Sequence, residues 1–320
     1  LDQLAARSPQ VSLTAEDVLP SLRPTVLSAP RIPDPTLTVL CRSLAQIGPV
    51  LASGVRSLVV DFEDLRQYAT AVAQARQAEA EIWLATPRIH NTGESGVFRL
   101  MSRQAASGIL ARNLAAIDYF RSAGIPTIAD YSLNVANEIT AQIVHEMGVE
   151  RMVASYALNR DQIFDLVQAV PAEWLEVVIH QHMPMFHMEH CVFCAVLSPG
   201  TNKSNCGRPC DRHEVRLRDR AGMEHPLTAD VGCRNTLFNA QAQSAAEVVP
   251  QLQQLGVHHF RIEMLTGLPP AEIRRMVTLY QQLLAGQLSG KQVWSQLRAS
   301  NRLGVTRGTL EQRRDPLAIL

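Results

Sequence analysis

The feature of this chain that most constrains its fold is a regular alternation of short apolar runs with longer segments of helical period. The short runs are rich in Val, Ile and Leu, as are strands buried on both faces of a sheet. Such alternation is typical of a parallel sheet with crossover helices. The predicted strands are Leu37–Arg42, Ser57–Phe62, Glu81–Thr86, Pro126–Asp130, Arg151–Ser155, Leu175–His180 and His258–Glu263. The predicted helices are Asp64–Ala78, Arg103–Ser122, Ala136–Met147, Arg160–Val170, Ala240–Leu255 and Pro270–Ala285.

Seven strands with crossovers favour an α/β fold of the (β/α)8 TIM-barrel type with one irregular strand. An open doubly wound sheet is the alternative. A length of 320 residues suits one such barrel. The chain contains neither G-x-G-x-x-G nor a P-loop, so it carries no dinucleotide or nucleotide-phosphate signature.

The predicted organisation has three parts. Residues 1–30 form an extension or linker, 31–286 the barrel with a Cys-rich insertion over 186–239, and 287–320 a basic tail. Such a tail is more typical of a solvated helix face than of a nucleic-acid site. The start at Leu1 leads us to expect a piece of a longer chain. The tail's basic residues, set against Glu311, are Lys291, Arg298, Arg302, Arg307, Arg313 and Arg314.

The overall charge favours no particular class of partner. Thirty Lys and Arg balance thirty Asp and Glu, so any contact with nucleic acid must be local. The longest apolar runs are far shorter than the roughly 18–20 residues of a membrane-spanning helix. We therefore expect no membrane segment and a cytoplasmic location.

The chemistry is concentrated between His180 and Asn239, a stretch without helical period. It follows a predicted strand, and loops after barrel strands carry the chemistry of such folds. Alternation within 215–227 predicts a β-hairpin around an Arg-Ala-Gly turn. Cys41 lies outside this stretch in an apolar run and is predicted to be a core residue. The other five cysteines lie within it: Cys191, Cys194, Cys206, Cys210 and Cys233.

The clustered cysteines predict a metal site, because four thiolates bind either zinc or an iron–sulfur cluster. Their spacing, C-x2-C-x11-C-x3-C-x22-C, lacks the paired knuckles of a zinc ribbon and favours an iron–sulfur cluster, with zinc as the alternative. Alternation along the strand also sends His180 and His182 to one face, where they line a pocket.

The motifs of common peptidases are absent from the sequence. It has no G-x-S-x-G and no H-E-x-x-H. A thiolate bound to metal is also not free to attack a peptide. The residues alone thus argue against a conventional peptidase.

Several blocks of sequence together resemble one known family. The combination resembles the signature region of peptidase family U32, the collagenase-like peptidases. The resemblance runs from about residue 80 to 285. Its blocks are Ala129–Asn137, Met188–Cys191, Cys206–Cys210, Leu217–Gly222, Asp230–Arg234, Asn239 and Arg261–Glu263.

The resemblance implies an iron–sulfur protein of barrel fold. Members of the family take part in hydroxylating a pyrimidine of tRNA or ribosomal RNA, or a ubiquinone precursor, while the family name implies proteolysis. Ser198 stands where many relatives carry a further Cys, and Ala157 where relatives tend to be acidic. By position, the cluster ligands are Cys191, Cys206, Cys210 and Cys233, with Cys194 as a substitute.

Within this resemblance we expect the catalytic residues Asp130, Asn134 and Glu263. The asparagines have a simpler interpretation as helix caps, and Asp130 as the end of a strand. Arg88 carries a planar fork suited to a carboxylate or phosphate. The expected substrate-binding residues are Arg88, Ser132, Asn137 and Arg234.

The leading functional hypothesis is hydroxylation of an RNA pyrimidine, with a redox partner. The alternatives are a metal- or Cys-dependent peptidase and a non-catalytic barrel whose metal site is structural, within a larger protein. RNA would be attracted by a local group of arginines, which can equally bind acidic loops of the same chain. They are Arg208, Arg212, Arg216, Arg218, Arg220 and Arg234.

Overall fold

A computed structural model describes residues 15–26, 33–300 and 303–311 of the chain. Eight parallel strands pair in sequence order and close on themselves, so the predicted (β/α)8 barrel is confirmed. Closure leaves the barrel without a free edge. The barrel strands are β1 (Thr36–Cys41), β2 (Ser57–Val60), β3 (Glu81–Ala85), β4 (Gly108–Ala111), β5 (Thr127–Ala129), β6 (Arg151–Val153), β7 (Leu175–Met188) and β11 (His259–Glu263).

Helices follow most of the strands and cover the outside of the barrel, where the main apolar core lies between sheet and helices. A smaller apolar cluster, which includes Leu40, Trp83 and Ile128, fills part of the interior. The helices are α1 (Ala15–Leu22), α2 (Leu44–Ala52), α3 (Tyr68–Gln77), α4 (Ser95–Ser102), α5 (Leu114–Ser122), α6 (Glu138–Glu146), α7 (Arg160–Ala169), α8 (Val192–Leu197), α9 (Val249–Gln254), α10 (Pro270–Leu284) and α11 (Gly290–Ser300).

The eighth barrel strand is one that the sequence did not predict. The predicted helix Arg103–Ser122 was wrong in its first half, because residues 108–111 form β4 between β3 and β5. Asn113 then caps α5 by accepting a hydrogen bond from the Ala116 N–H at 2.9 Å. A run of four apolar residues is too short to reveal its period, so the helical spacing of its neighbours was misleading.

The Cys-rich insertion is built on an antiparallel extension of the sheet. β7 continues beyond the barrel and pairs with β10 (Arg234–Ser244), which pairs with β9 (Glu224–Asp230), which pairs with β8 (Val215–Arg218). The predicted hairpin over 215–227 is confirmed. The predicted start of a helix at Ala240 was wrong, since β10 continues through Ser244. The short helix α8 inside the insertion was not predicted.

The chain end returns to the sheet extension. After α11, β12 (Val305–Thr306) pairs in parallel with β10, while Val293 and Leu297 are buried. Arg302, Arg313 and Arg314 of the predicted basic tail lie outside the described residues, as does most of the predicted 1–30 extension. Across the described ranges, no helix is both long and apolar enough to cross a membrane.

Candidate functional site

A cavity of about 700 Å³ opens where the barrel strands end and the sheet extension begins. Its wall combines charged side chains at the ends of β1, β2, β4 and β11 with histidines of β7 and residues of the insertion. Cavities at the carboxyl ends of the strands are the usual active sites of such barrels. The charged and aromatic groups in the wall include Arg42, Asp61, Arg88, Arg112, Tyr131, His180, His182, His187, Asp230, Phe238 and Glu263.

The floor beneath the cavity is a buried network of alternating charges around Asp130. Its Oδ2 accepts from Arg112 Nε at 3.0 Å and its Oδ1 from Arg261 Nη2 at 2.7 Å. Burial alone would raise the pKa of this carboxyl, but Arg261 and Arg112 hold it below its ordinary range. Asp130 is therefore an ionised anchor with both oxygens occupied by protein, and its predicted catalytic role stays a prediction.

The network continues towards the cavity through Asp61. Arg112 donates to both carboxylate oxygens of Asp61, at 2.8 and 2.9 Å, in the bidentate geometry that guanidinium and carboxylate favour. Arg42 lies 3.6 Å from Asp61 and donates to Glu263 at 2.9 Å. Sequence reasoning missed Asp61, Arg112 and Arg42. Their common signal was their position, since each follows or ends a barrel strand.

Glu263, predicted to be catalytic, lies in the cavity wall and is 3% exposed. Besides Arg42, it faces Arg261, whose Nη2 lies 3.1 Å from Glu263 Oε1. Arg261 is fully buried and also lies 3.0 Å from Glu176. Glu263 is thus held in position by two cations, Arg42 and Arg261.

Arg88 is the predicted substrate-binding residue that the structure places in the cavity wall. Its guanidinium lies 5.5 Å from the ring centre of Tyr131, and no acidic side chain in the described part of the chain pairs with it. An Arg held on an aromatic face keeps its fork free for an anion. Ser132 instead donates to the carbonyl of Arg112 at 2.8 Å and supports the cavity from behind.

Three other predicted site residues do not line the cavity. Asn134 is exposed in a left-handed conformation with φ 55°, and Asn137 caps α6 by accepting from the Thr140 N–H at 2.9 Å. Arg234 is buried and donates to Glu94 and Glu189, which joins α4 to the insertion. These positions stabilise turns and contacts, and any role in binding stays a prediction.

The histidines of β7 face the cavity. His180 and His182 both lie in its wall, as strand alternation indicated. His180 Nδ1 lies 3.1 Å from the Tyr280 hydroxyl, and His182 Nδ1 lies 2.8 Å from the Asn239 carbonyl. Further along β7, His187 also lines the cavity.

The five insertion cysteines are free thiols. Cys210 lines the cavity itself. Cys191 precedes α8, and its Sγ accepts from the Cys194 N–H at 3.4 Å. Cys191 and Cys210 also pack against the apolar cluster of Phe193, Leu227 and Leu237. The thiols are therefore shielded on one side by apolar side chains.

The thiols influence one another electrostatically. Burial raises the pKa of Cys194, and the nearby Cys206, Cys191 and Cys233 raise it further. The pKa of Cys233 is likewise raised by burial. Burial and the charges of Glu63 and Asp211 raise the pKa of Cys210 to about 11. A thiol in such surroundings is a weak nucleophile on its own, whereas metal binding would remove its proton.

Thiolates bind either zinc or an iron–sulfur cluster. Within residues 15–26, 33–300 and 303–311, no three His, Cys, Asp or Glu side chains lie close enough together to hold one metal ion. The choice between zinc and an iron–sulfur cluster stays a prediction.

The loops that present the thiols depend on unusual backbone geometry. Gly200 lies so close to the following turn that an added Cβ would stand 2.7 Å from the Cα of Cys206. Ser198 donates to the Cys206 carbonyl at 2.8 Å. Cys233 has φ 62°, a left-handed conformation that is costly for a residue with a side chain. Such strain is common where function requires a fixed side-chain position.

Most of the arginines near the thiols are paired within the chain. Arg208 binds Asp211 and Glu63, Arg218 binds Glu224, and Arg216 lies 3.6 Å from Glu214. Arg212 and Arg220 are exposed, and no described acidic side chain pairs with either. The predicted electropositive surface is therefore reduced to a few unpaired cations.

Comparisons with known proteins give one strong match and several weak ones. Residues 50–314 match the family model described as peptidase family U32. Two Helicobacter pylori proteins called "tRNA hydroxylation protein P", from strains J99 and 26695, are 26% identical over 121 residues. That segment is 37% of this chain and 28% of theirs, so it spans less than a third of these relatives.

Solved structures are similar only at a low level. A putative fructose-1,6-biphosphate aldolase from Coccidioides immitis gives a TM-score of 0.41 at 12% identity, covering 84% of this chain and 91% of that one. The spore cortex-lytic enzyme SleL of Bacillus cereus gives 0.39 at 11%, covering 80% and 74%. Nothing about function follows from similarity at this level.

Proposed function

This chain belongs to peptidase family U32, and from that membership we propose that it is an iron–sulfur protein that takes part in hydroxylating a pyrimidine base of RNA. The observation that carries the proposal is that Cys210, one of the five cysteines of the insertion, lines the cavity. A redox centre bound there would lie next to whatever the cavity binds. A cluster at that position would be close enough to exchange electrons with a molecule bound in the cavity.

The proposal of RNA as substrate rests on two lines of support. The first is the similarity to proteins called tRNA hydroxylation protein P, which covers 28% of their length. The second is the cavity wall, where Arg88 lies over the Tyr131 ring and Arg42 over the Phe238 ring, so that guanidinium groups offer a face to a base and a fork to a phosphate. An RNA base that is taken out of its stack needs both kinds of contact.

The residues proposed to hold the cluster are Cys191, Cys206, Cys210 and Cys233, with Cys194 as the substitute. When bound, the cluster supplies single-electron transfer, which requires a redox partner. The chain's own residues would do the rest. The ion pairs of Asp61, Arg112 and Glu263 keep the cavity floor rigid, and the rings of its wall exclude water from the base.

The peptidase alternative has less support. In the absence of metal, the pKa of Cys210 near 11 leaves little thiolate at neutral pH, and the pKa values of Cys194 and Cys233 are shifted in the same direction. No described observation favours cleavage of a peptide over hydroxylation. The experiment below distinguishes the proposal from a purely structural metal site.

The test is anaerobic purification followed by absorption spectroscopy and iron, sulfide and zinc analysis of one sample. We expect a broad visible band with about four iron and four sulfide per chain. Cys233→Ala should lose iron and colour while keeping the far-ultraviolet circular dichroism of the barrel. Cys41→Ala, in the core away from the insertion, is the matched control and should keep both.

Cys194→Ala decides the ligand set, since it should keep the iron if Cys194 is only the substitute. Mass spectrometry of RNA nucleosides then tests the substrate, in cells that lack the gene and express either the wild type or Cys233→Ala. A hydroxylated pyrimidine restored only by the wild type supports the proposal. One zinc per chain without colour would overturn it in favour of a structural or hydrolytic site.

A further inference from the structure

Asp230 is a largely buried carboxylate of the cavity wall that no cation of the described chain neutralises. It is the last residue of β9, and its backbone pairs with Arg234 of β10. Its side chain lines the cavity and is 14% exposed. No Arg or Lys among the described residues forms an ion pair with it. The carboxylate is therefore accessible from the cavity and lacks a partner of opposite charge.

The other acidic residues of the wall differ from Asp230 in this respect. Glu272 also has no cationic partner among the described residues, but it is exposed to solvent on α10. A charge in water needs no partner, whereas a charge removed from water does. The remaining acidic residues of the wall all pair with arginines, and they are Asp61, Glu63, Glu214, Glu224 and Glu263.

The two oxygens of Asp230 have different surroundings. Oδ1 accepts a hydrogen bond from the Val231 backbone N–H at 2.7 Å. Oδ2 lies 3.8 Å from His187 Nδ1, beyond hydrogen-bond distance, and accepts no hydrogen bond from any described residue. Unlike the polar atoms that are both buried and without a partner, Oδ2 keeps accessible surface. A molecule in the cavity can therefore reach this oxygen.

His187 does not supply the missing positive charge. Burial and the charges of Arg88 and Arg112 lower the pKa of His187 to about 4, so its ring is neutral at neutral pH. Burial and the charge of Asp61 raise the pKa of Asp230 to about 6, and the more distant Arg112 offsets this only in part. Asp230 is thus mostly ionised at neutral pH, and an N–H donor bound to it would stabilise its charge.

Of the two pyrimidines of RNA, cytosine suits this carboxylate better than uracil. A carboxylate only accepts hydrogen bonds, and acidic side chains accept from the N4 amino group of cytosine. The N3–H of uracil lies between two carbonyl oxygens, which repel a carboxylate. Arg88, which has no acidic partner among the described residues, lies in the same wall and suits the phosphate of the same nucleotide.

We infer that Asp230 selects cytosine as the substrate base, with Oδ2 accepting a hydrogen bond from the N4 amino group. The inference rests on the proposed function, because the cavity must take a pyrimidine of RNA, and it states which pyrimidine. Asp230 is then a specificity-determining residue. The Val231 N–H orients the carboxylate by holding Oδ1, which leaves Oδ2 for the base.

The first test measures the binding of three mononucleotides to the anaerobically purified wild-type protein by calorimetry. The probes are the 5′-monophosphates of cytidine, uridine and N4,N4-dimethylcytidine. We expect cytidine monophosphate to bind about tenfold more tightly than either of the others, the usual effect of one hydrogen bond to a charged group. The dimethylated probe keeps the ring and the phosphate, so its weaker binding would be due to the lost N–H.

Asp230→Asn tests the residue itself. The amide keeps the shape of the side chain but places an N–H donor where the carboxylate has an acceptor, which suits the O4 oxygen of uracil. The preference for cytidine over uridine monophosphate should therefore be lost or reversed. Asp165→Asn removes an exposed carboxylate from α7, outside the cavity, and is the matched control that should keep the preference. Circular dichroism of both variants checks that they are folded.

The possible failures are distinguishable. Equal binding of the cytidine and uridine probes by the wild type, or an unchanged preference in Asp230→Asn, would overturn the inference and leave the proposed function standing. In the analysis of RNA nucleosides from cells, the restored product should be a hydroxylated cytidine. A hydroxylated uridine alone would support the proposed function and overturn the inference. If the wild type binds none of the probes, the pyrimidine substrate fails and the inference fails with it.

Discussion

Arg261 is the residue on which the buried charges of the barrel depend. It is fully buried on β11 and lies within 3.1 Å of carboxylate oxygens of Asp130, Glu176 and Glu263. Three carboxylates in an apolar interior are tolerated only while cations compensate them. Arg261 and Arg112 together therefore determine whether Asp130 can remain ionised.

Arg261→Met should lower the free energy of unfolding by about 3–5 kcal/mol, because it leaves buried carboxylates without their shared partner. Urea unfolding followed by circular dichroism measures the change. Arg66→Met removes an exposed ion pair with Asp64 and is the matched control, expected to leave stability unchanged. Equal stability of both variants would show that the buried carboxylates do not depend on Arg261.

At the scale of residues, the sequence predicted some of the residues in the cavity wall but not the contacts between them. Glu263 and Arg88 were expected within the family resemblance, and both lie in the cavity wall. The pairing of Arg112 with Asp61 joins residues that are 51 positions apart. It depends on which strand ends become neighbours, and no local pattern contains that information.

At the scale of elements, β4 shows why a short strand is difficult to predict from its sequence. Its four residues are all buried, and its first, Gly108, faces Trp83 of β3 across the sheet. A Cβ on Gly108 would lie 2.2 Å from a ring carbon of Trp83 and 2.6 Å from the Pro126 carbonyl oxygen. The glycine is thus required by packing that becomes visible only once the strands are adjacent.

Gly108→Ala should destabilise the protein by at least about 1–3 kcal/mol, because neither the indole nor the backbone can move away easily. Gly96→Ala is the matched control in α4, where the glycine is exposed and an added Cβ meets only the far end of the Arg99 side chain, at 3.9 Å. It should stabilise by about 0.5–1 kcal/mol through helix propensity. Thermal unfolding of the two variants should therefore shift in opposite directions, and a shift in the same direction would contradict this packing.

At the scale of the whole molecule, the segment after α10 holds the sheet extension against the barrel. β12 pairs with β10, and Leu297, Leu303 and Val305 form part of the cavity wall. Arg307 stacks on Trp294 at 4.4 Å and pairs with Glu247. The segment predicted as a basic tail thus contributes to the cavity through its apolar residues.

A chain that ends at Leu288 should lose hydrogen-exchange protection at Ala242 and Gln243, the residues that pair with β12, relative to a chain that ends at Glu311. It also loses the burial of Val293, Leu297 and Leu310, worth roughly 1.5–3 kcal/mol each. Protection in β2 to β5 should persist, because those strands pair among themselves. Unchanged exchange at Ala242 would show that β10 is held by β7 and β9 alone.

The architecture as a whole was predictable because a barrel repeats one simple unit. Seven of its eight strands were recognised from composition, and the position of the Cys-rich insertion after β7 followed from chain order. The extension of β7 beyond the barrel and the pairing of β12 with β10 were not predicted. Both are pairings between residues far apart in the chain. The residues of these strands favour an extended conformation, but their sequence does not specify which strand they pair with.

The closing strand β11 has a consequence for how the molecule is made. It pairs with both β1 and β7, and it follows the whole insertion in the chain. On the ribosome, the cysteine loops emerge while β1 and β7 still have open edges. Barrel closure joins residues more than 200 positions apart, such as Thr36 and His259, and contacts of that separation form slowly. The nascent protein therefore passes through a stage in which its thiols are complete but its barrel is not, and this is when it most needs protection from aggregation and oxidation.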